Sequence, residues 1–184
     1  MAKKKVNKNI RKPHCTFLGQ TIAQSFTSLF VWEKLLYERD FSRIVELGTW
    51  EGNLSLFLYL HCLNGGADFY TFDIQDFKPS IVKDRLNFSS HFERLDIWEN
   101  IEKIKDIIQR DGRTILFCDD GSKEEEFKTF APLIKCGDII GVHDWKSEIW
   151  PQRIIDDVSK NGLEKIMEEE CVKDAPLIRF FIKK

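Results

Sequence analysis

The sequence predicts an α/β fold: a doubly wound, mainly parallel seven-stranded sheet with an antiparallel C-terminal edge. Three observations carry this expectation. Short apolar runs alternate with helical stretches in five successive units, the pattern of strands joined by crossover helices. Two of the runs, TILFC and DIIGV, are apolar on both faces, as strands inside a parallel sheet are. Two further strands follow the fifth unit, and a closing pair suggests an antiparallel edge.

The elements follow in order. The chain opens on MAKKKVNKNIRK, with Lys3, Lys4, Lys5, Lys8, Arg11 and Lys12 and no acid before Glu33. Residues 1–15 read as a disordered, solubilising basic tail, and contact with an anionic polymer or surface is the other reading. Residues 16–184 read as one domain without internal repeat or linker. A helix is expected over 21–39, where Ile22, Phe26, Leu29, Phe30 and Leu36/Tyr37 share a face. A strand over 43–47 leads through a glycine turn to a helix over 53–63, stopped by Asn64-Gly65-Gly66. Next come a strand over 68–72, a helix over 79–88 with Pro79 in its first turn, and a strand over 90–95. Ile101, Ile104, Ile107 and Ile108 mark one side of a helix over 99–110, closed by Asp111-Gly112. After the strand 114–118, Ser122 is placed to cap a helix over 123–135, ended by Cys136-Gly137. The strand 138–142, a helix over 151–160 and closing strands over 164–171 and 177–182 complete the chain.

Length and composition bound the class. The 184 residues suit one domain with a real core. An apolar content of 42% with 32% charged residues is that of a soluble globular protein, and a net charge of −2 gives no pointer to a partner from bulk electrostatics. No apolar run nears the roughly 18 residues of a membrane span, and no signal-peptide core follows the basic start. The five cysteines, scattered without a CxxC pair, read as reduced, buried thiols of a cytoplasmic protein.

The chemistry is expected at the strand ends. Glu46, Asp73, Asp96, Asp119/Asp120 and His143/Asp144 each stand where a strand finishes, and in open α/β sheets ligands bind outside those ends. One such aspartate is ordinarily a cap or turn residue, but five in series point to a site. The turn itself, with Gly48 and Gly52, reads ExGxxxG, and Trp50 stands where a nicotinamide site would want its middle glycine. Asp119, Asp120 and Asp144 would converge at adjacent strand ends, where hard oxygen ligands suit Mg²⁺, Mn²⁺ or Ca²⁺. Such an ion could hold two neighbouring hydroxyls of an acceptor and acidify one. His143 is a candidate ligand or general base, and Lys123 and Lys146 are further base candidates. The plainer alternative is that Asp119 and Asp120 cap the next helix and His143 is a strand-end residue. Trp145 and Trp150 could stack on an acceptor or simply pack. His14, His61 and His91 read as structural or surface residues. The run Lys123–Glu126 reads as a solvated helix start whose acids suit the dipole.

VELGTWEG, together with Asp73 and Asp96, resembles the class I S-adenosylmethionine-dependent methyltransferases over about residues 17–184. More narrowly, FLGQTIAQSF, IVELGTWEGNLSLFL, FDI and LFCDDGSKEEEFKTFAPLIKCGDIIGVHDW resemble the cephalosporin hydroxylase/rhamnosyl O-methyltransferase group and its macrocin O-methyltransferase relatives. The resemblance implies a Rossmann-like fold with a leader helix. It implies that Glu46, Gly48, Thr49 and Gly52 line the methionine end of S-adenosyl-L-methionine. Asp73 with Ile74 would hold the ribose, and Asp96 with Ile97 the adenine. Asp119 would border the cofactor and be the first metal ligand, with His143 and Asp144 at the position of an acidic pair. The implied activity is O-methylation of a sugar or other vicinal-diol small molecule, assisted by Mg²⁺ or Mn²⁺. The chain departs from the pattern at Trp50, at His143, where a carboxylate is expected, and in the short stretch between Asp144 and Pro151. Two alternatives stay open: a metal-independent methyltransferase with His143 as base, and a non-catalytic cofactor-binding or scaffold protein. A nucleic-acid acceptor is disfavoured, because CDDG stands where an amino-methylating N/D-P-P-Y/F motif would. The helix over 21–39 could be a homo-oligomer interface as easily as a cap over the cofactor.

Overall fold

In the computed structural model, which describes residues 15–76 and 91–184, the chain enters through a hairpin. Strands β1 (Cys15–Phe17) and β2 (Gln20–Ile22) pair antiparallel, Cys15 opposite Ile22, around Leu18 and Gly19, both at positive φ. Helix α1 (Phe26–Glu38) starts only at Ser25, whose hydroxyl accepts the Ser28 N–H at 3.0 Å. The expected helix over 21–39 is therefore too long at its start. Ile22 is buried from the hairpin and does not belong to the helical apolar series. The expected face is also rotated. Phe26, Phe30 and Tyr37 are exposed, and the buried side is Ser28, Val31, Trp32, Leu35 and Leu36. Trp32 sets this rotation, packing edge-on against Phe117 and Phe180 with ring centroids 4.8 Å away in each case.

Among the described residues, four strands and three helices follow: β3 (Arg43–Leu47), α2 (Asn53–Gly65), β4 (Asp68–Asp73), β5 (Phe92–Arg94), α3 (Ile101–Ile108), β6 (Thr114–Cys118) and α4 (Lys123–Phe130). Then come β7 (Ile139–Val142), α5 (Pro151–Lys160), β8 (Leu163–Ile166), α6 (Glu168–Asp174) and β9 (Arg179–Lys183). The sheet runs β5-β4-β3-β6-β7-β9-β8; β9 alone lies antiparallel to its neighbours β7 and β8. The strand order reverses between β3 and β6, and the crevice at such a reversal is where open α/β sheets bind ligands.

Both faces of the sheet are covered. Ile44, Ile115 and Phe117 pack on one side with Trp32, Leu58 and Phe180, while Val45, Leu47 and Leu116 pack on the other with Ile104, Phe127 and Phe181. That two-sided burial explains the unbroken apolar runs. The predicted closing strand over 164–171 divides. Met167 turns at φ 54 after β8, and Glu168, Glu169 and Glu170 open α6, acids that complement a helix N-terminus. Cys171 anchors α6, and Lys34 and Thr27 of α1 bond to Glu170 and to the Asp174 carbonyl. Helix α4 ends at Phe130, short of the expected 135. Of the thiols, Cys15, Cys62, Cys118 and Cys171 are buried, but Cys136 is exposed. The basic stretch 1–14, including His14, and the helix expected over 79–88 lie outside the described residues.

Candidate active site

The first wall is the turn after β3. The Gly48 and Thr49 N–H groups donate to the Phe72 carbonyl at 2.9 and 3.2 Å, drawing the turn over the end of β4. Gly48 has φ +93, and a Cβ there would stand 2.6 Å from the Asp120 backbone nitrogen and closer still to the Asp119 carbonyl. Only glycine lets this turn pass against the end of β6. Trp50 keeps φ 45, a left-handed conformation unusual for a bulky residue. Asp73 holds it there, one carboxylate oxygen accepting the Trp50 N–H at 2.8 Å and the other the Gln75 N–H at 2.9 Å. Glu46 is buried beneath the turn, where it accepts the Ser55 hydroxyl and, at 2.6 Å, the Thr71 hydroxyl. Burial pushes its carboxyl up to about 8, against the opposing effect of those two bonds. Helix α2 begins at Gly52, which has no side chain to cap it.

The second wall is formed by the ends of β6 and β7. His143 Nδ1 lies 3.0 Å from Asp119 Oδ1 and 3.6 Å from Asp144 Oδ2. Burial works against an imidazolium here, but the attraction and hydrogen bond of Asp119, with Asp144, outweigh it and raise the His143 pKa. Asp144 turns its backbone at φ 54. Lys123, the first residue of α4, is buried, with Nζ 2.9 Å from Glu148, 3.1 Å from Asp144 and 3.9 Å from Asp119. Burial opposes its charge, and the three carboxylates prevail, so its pKa is raised and the ammonium is retained. The loop between β6 and α4 is held by Glu126, whose carboxylate accepts the Asp120 and Ser122 N–H groups at 3.3 and 3.0 Å. Ser122 makes no side-chain cap. The expected solvated helix start is corrected at Lys123 and Glu126, which face inward and are buried. Burial and then the Asp120 charge push the Glu126 carboxyl up to about 8.

Between these walls lies a cavity of about 540 Å³. Its third wall comes from the leader, one of the two roles the sequence left open for the segment over 21–39, through residues not singled out there for the site. The segment Thr21, Ile22, Ala23, Gln24, with Ser25 and Ser28 of the α1 start, closes one side, and Pro176 and Leu177 complete it. Asn53 Nδ2 donates to the Thr21 carbonyl at 2.6 Å, tying the leader to the glycine turn. Gln24 is buried at 6% exposure with neither Nε2 nor Oε1 bonded, and Asn53 Oδ1 is also unbonded. Buried amides without partners are costly and mark a place for a ligand or water.

Of the residues singled out from the sequence, Glu46, Gly48, Thr49, Gly52, Asp119, Lys123, His143 and Asp144 line this cavity. Asp73 lies behind the turn, and Ile74 is exposed beside it. Asp96 caps the turn after β5 by accepting the Trp98 N–H at 2.9 Å, and Ile97 is a core residue. Lys146 is exposed and does not reach the cavity; its N–H bonds the Ile149 carbonyl. Trp50 lines the cavity, whereas Trp145 is buried against Phe181 with Lys165 and Arg179 over its ring. His61 pairs with Glu33 and His91 with the Phe69 carbonyl, both away from the site.

Asp119, His143 and Asp144 each offer a ligand atom within 4.8 Å of the others. As a donor set this suits a divalent cation. The Lys123 ammonium, however, already stands against Asp144 and near Asp119, and His143 Nδ1 is engaged by Asp119. A dication added here would meet a like charge at close range, so the group as arranged does not fit one.

Solved structures share this architecture. CmcI in its Mg–SAM form superposes with a TM-score of 0.64 at 13% identity, over 91% of this chain and 75% of that one. A Staphylococcus aureus protein assigned as a caffeoyl-CoA O-methyltransferase gives 0.62 at 12%, over 87% and 84%. The MycE methyltransferase of the mycinamycin biosynthetic pathway, in complex with Mg, SAH and mycinamycin VI, gives 0.51 at 18%, over 86% and 49%. The fold is that of S-adenosylmethionine-dependent methyltransferases. At these identities the likeness is one of fold. No family model matches the chain, and no curated protein does. Among the described residues no helix is long and apolar enough to cross a membrane.

Proposed function

We propose that this chain transfers the methyl group of S-adenosylmethionine to a hydroxyl of a small-molecule acceptor. The observation that carries the reading is the cavity at the strand-order reversal, whose lining includes Gln24 and Asn53 with their buried, unbonded amide atoms. The methionine end of the cofactor carries both an ammonium and a carboxylate. Gln24 offers its amide NH₂ as donor and its amide oxygen as acceptor, and Asn53 Oδ1 and Glu46 offer further acceptors. Glu46, Gly48, Thr49 and Gly52 are assigned to that end of the cofactor, Asp73 and Ile74 to the ribose, and Asp96 and Ile97 to the adenine. Each Asp73 oxygen keeps a lone pair beyond its backbone bond.

The cofactor supplies an electrophilic methyl: the acceptor oxygen bonds the methyl carbon as the carbon–sulfur bond breaks, and sulfur keeps the electron pair. The chain orients and deprotonates. With Nδ1–H donating to Asp119, His143 presents Nε2 as the base that takes the acceptor proton, and Asp119 steadies the resulting imidazolium. The cavity volume is that of sites for small molecules, which favours a small acceptor over a polymer.

Calorimetric titration of S-adenosylmethionine into the protein tests the reading. Micromolar binding is expected. Absence of binding would overturn it.

A further inference from the structure

We propose that the Lys123 ammonium takes the place of a divalent cation in this site, so that the acceptor needs a single hydroxyl and no metal. The inference rests on the methyltransferase reading above and deepens it.

Three carboxylates from three segments converge on one nitrogen. Glu148 lies 2.9 Å, Asp144 3.1 Å and Asp119 3.9 Å from Lys123 Nζ. They come from the loop before α5 and the ends of β7 and β6. The lysine stem is buried, and its position at the first turn of α4 is held by Glu126 through the Asp120 and Ser122 N–H groups. The ammonium therefore sits where the negative charge of the wall is concentrated, and that wall borders the cavity. A metal would need the Asp144 and Asp119 oxygens that Lys123 already faces. It would also have to approach within a few ångströms of a fixed like charge.

The remaining hydrogen-bonding capacity points to the acceptor. An ammonium has three N–H donors. Glu148 and Asp144 are close enough to take two, and Asp119 at 3.9 Å is beyond hydrogen-bond reach. The third N–H is free for an acceptor oxygen entering the cavity. There it stabilises developing negative charge on that oxygen while His143 Nε2 receives the proton. A divalent ion chelates two adjacent hydroxyls; one N–H holds one oxygen. The substrate class that fits is a monohydroxyl acceptor, in place of the vicinal diol expected from the sequence.

The test is Mn²⁺ binding to the full chain, read from the paramagnetic resonance signal of the free ion. The unsubstituted protein is expected to leave millimolar Mn²⁺ unbound at this site. Lys123→Met should gain Mn²⁺ affinity by about a hundredfold or more, because the repelling charge is gone and the carboxylates remain. Lys123→Arg should behave as the unsubstituted protein. Micromolar Mn²⁺ binding to the unsubstituted chain would overturn the proposal, as would a folded Lys123→Met variant that gains nothing. The first arm decides the matter if Lys123→Met does not fold. Calorimetry with S-adenosylmethionine, with and without Mn²⁺, separates the two readings. Cofactor binding indifferent to Mn²⁺ supports both. Loss of cofactor binding in every condition overturns the methyltransferase reading and leaves the Mn²⁺ result to judge Lys123.

Discussion

His143 Nδ1 and Asp119 Oδ1 stand 3.0 Å apart across the ends of β7 and β6, joining two strands through a titratable pair. Its pH behaviour adds to that of two buried acids. The folded-state pKa of His143 is raised, so its contribution is full below the unfolded value near 6.5 and is lost as pH rises through the folded one. Glu46 and Glu126 are each pushed from 4.5 to about 8, so between those values the native state holds protons that the unfolded chain has released. All three lower stability as pH rises. The melting temperature should therefore fall between about pH 5 and pH 8, and Glu46→Gln should flatten part of that slope. Thermal melts across this range would contradict the account if stability rose.

Gly48→Ala should destabilise the fold by about 2–5 kcal/mol in denaturant titration, from positive-φ strain plus overpacking. The new Cβ would meet the Asp119 and Asp120 backbone at the junction of β3 and β6. A loss below 1 kcal/mol, roughly the size of an ordinary surface change, would show that the turn can move aside.

Asp73→Ala removes the acceptor of both the Trp50 and Gln75 N–H groups. Secondary structure by circular dichroism should persist, and S-adenosylmethionine affinity should drop by about tenfold or more as the turn loosens. Unchanged affinity in calorimetry would remove Asp73 from the cofactor site.

Gln24→Leu separates stability from function. The native amide is buried without a partner, so its replacement should leave stability unchanged or raise it by about 1 kcal/mol. Cofactor affinity should fall by about tenfold or more, the loss of one or two hydrogen bonds to a charged ligand. A variant that is both less stable and fully competent in binding would mean that the amide serves the fold.

Much of the fold was legible because burial leaves a local trace. The strands Arg43–Leu47 and Thr114–Cys118 and the helix Pro151–Lys160 match their predicted bounds. Two-sided apolar runs mark strands covered on both faces, and Pro151 marks a helix start. Where a segment's role depended on a distant partner, the reading went astray. Thr21–Ile22 followed a helical period by coincidence, while the Leu18-Gly19 reversal made it a strand. Ser122 looked like a cap, but its side chain bonds no helix N–H; instead Glu126 reaches back from inside the core and accepts the Ser122 N–H itself.

The sequence by itself determined the succession of strands from β3 to β7 and the row of acids at the strand ends, because both depend on periodicity and on residues adjacent in the chain. Only the tertiary structure decided that Gln24 of the leader and Leu177 before β9 close the cavity. It likewise decided that Lys123 turns inward among Asp119, Asp144 and Glu148, and that Trp145 packs in the core. Those choices are made by segments far apart in the chain, whose charges and unbonded amides find their counterparts only once the sheet has brought them together.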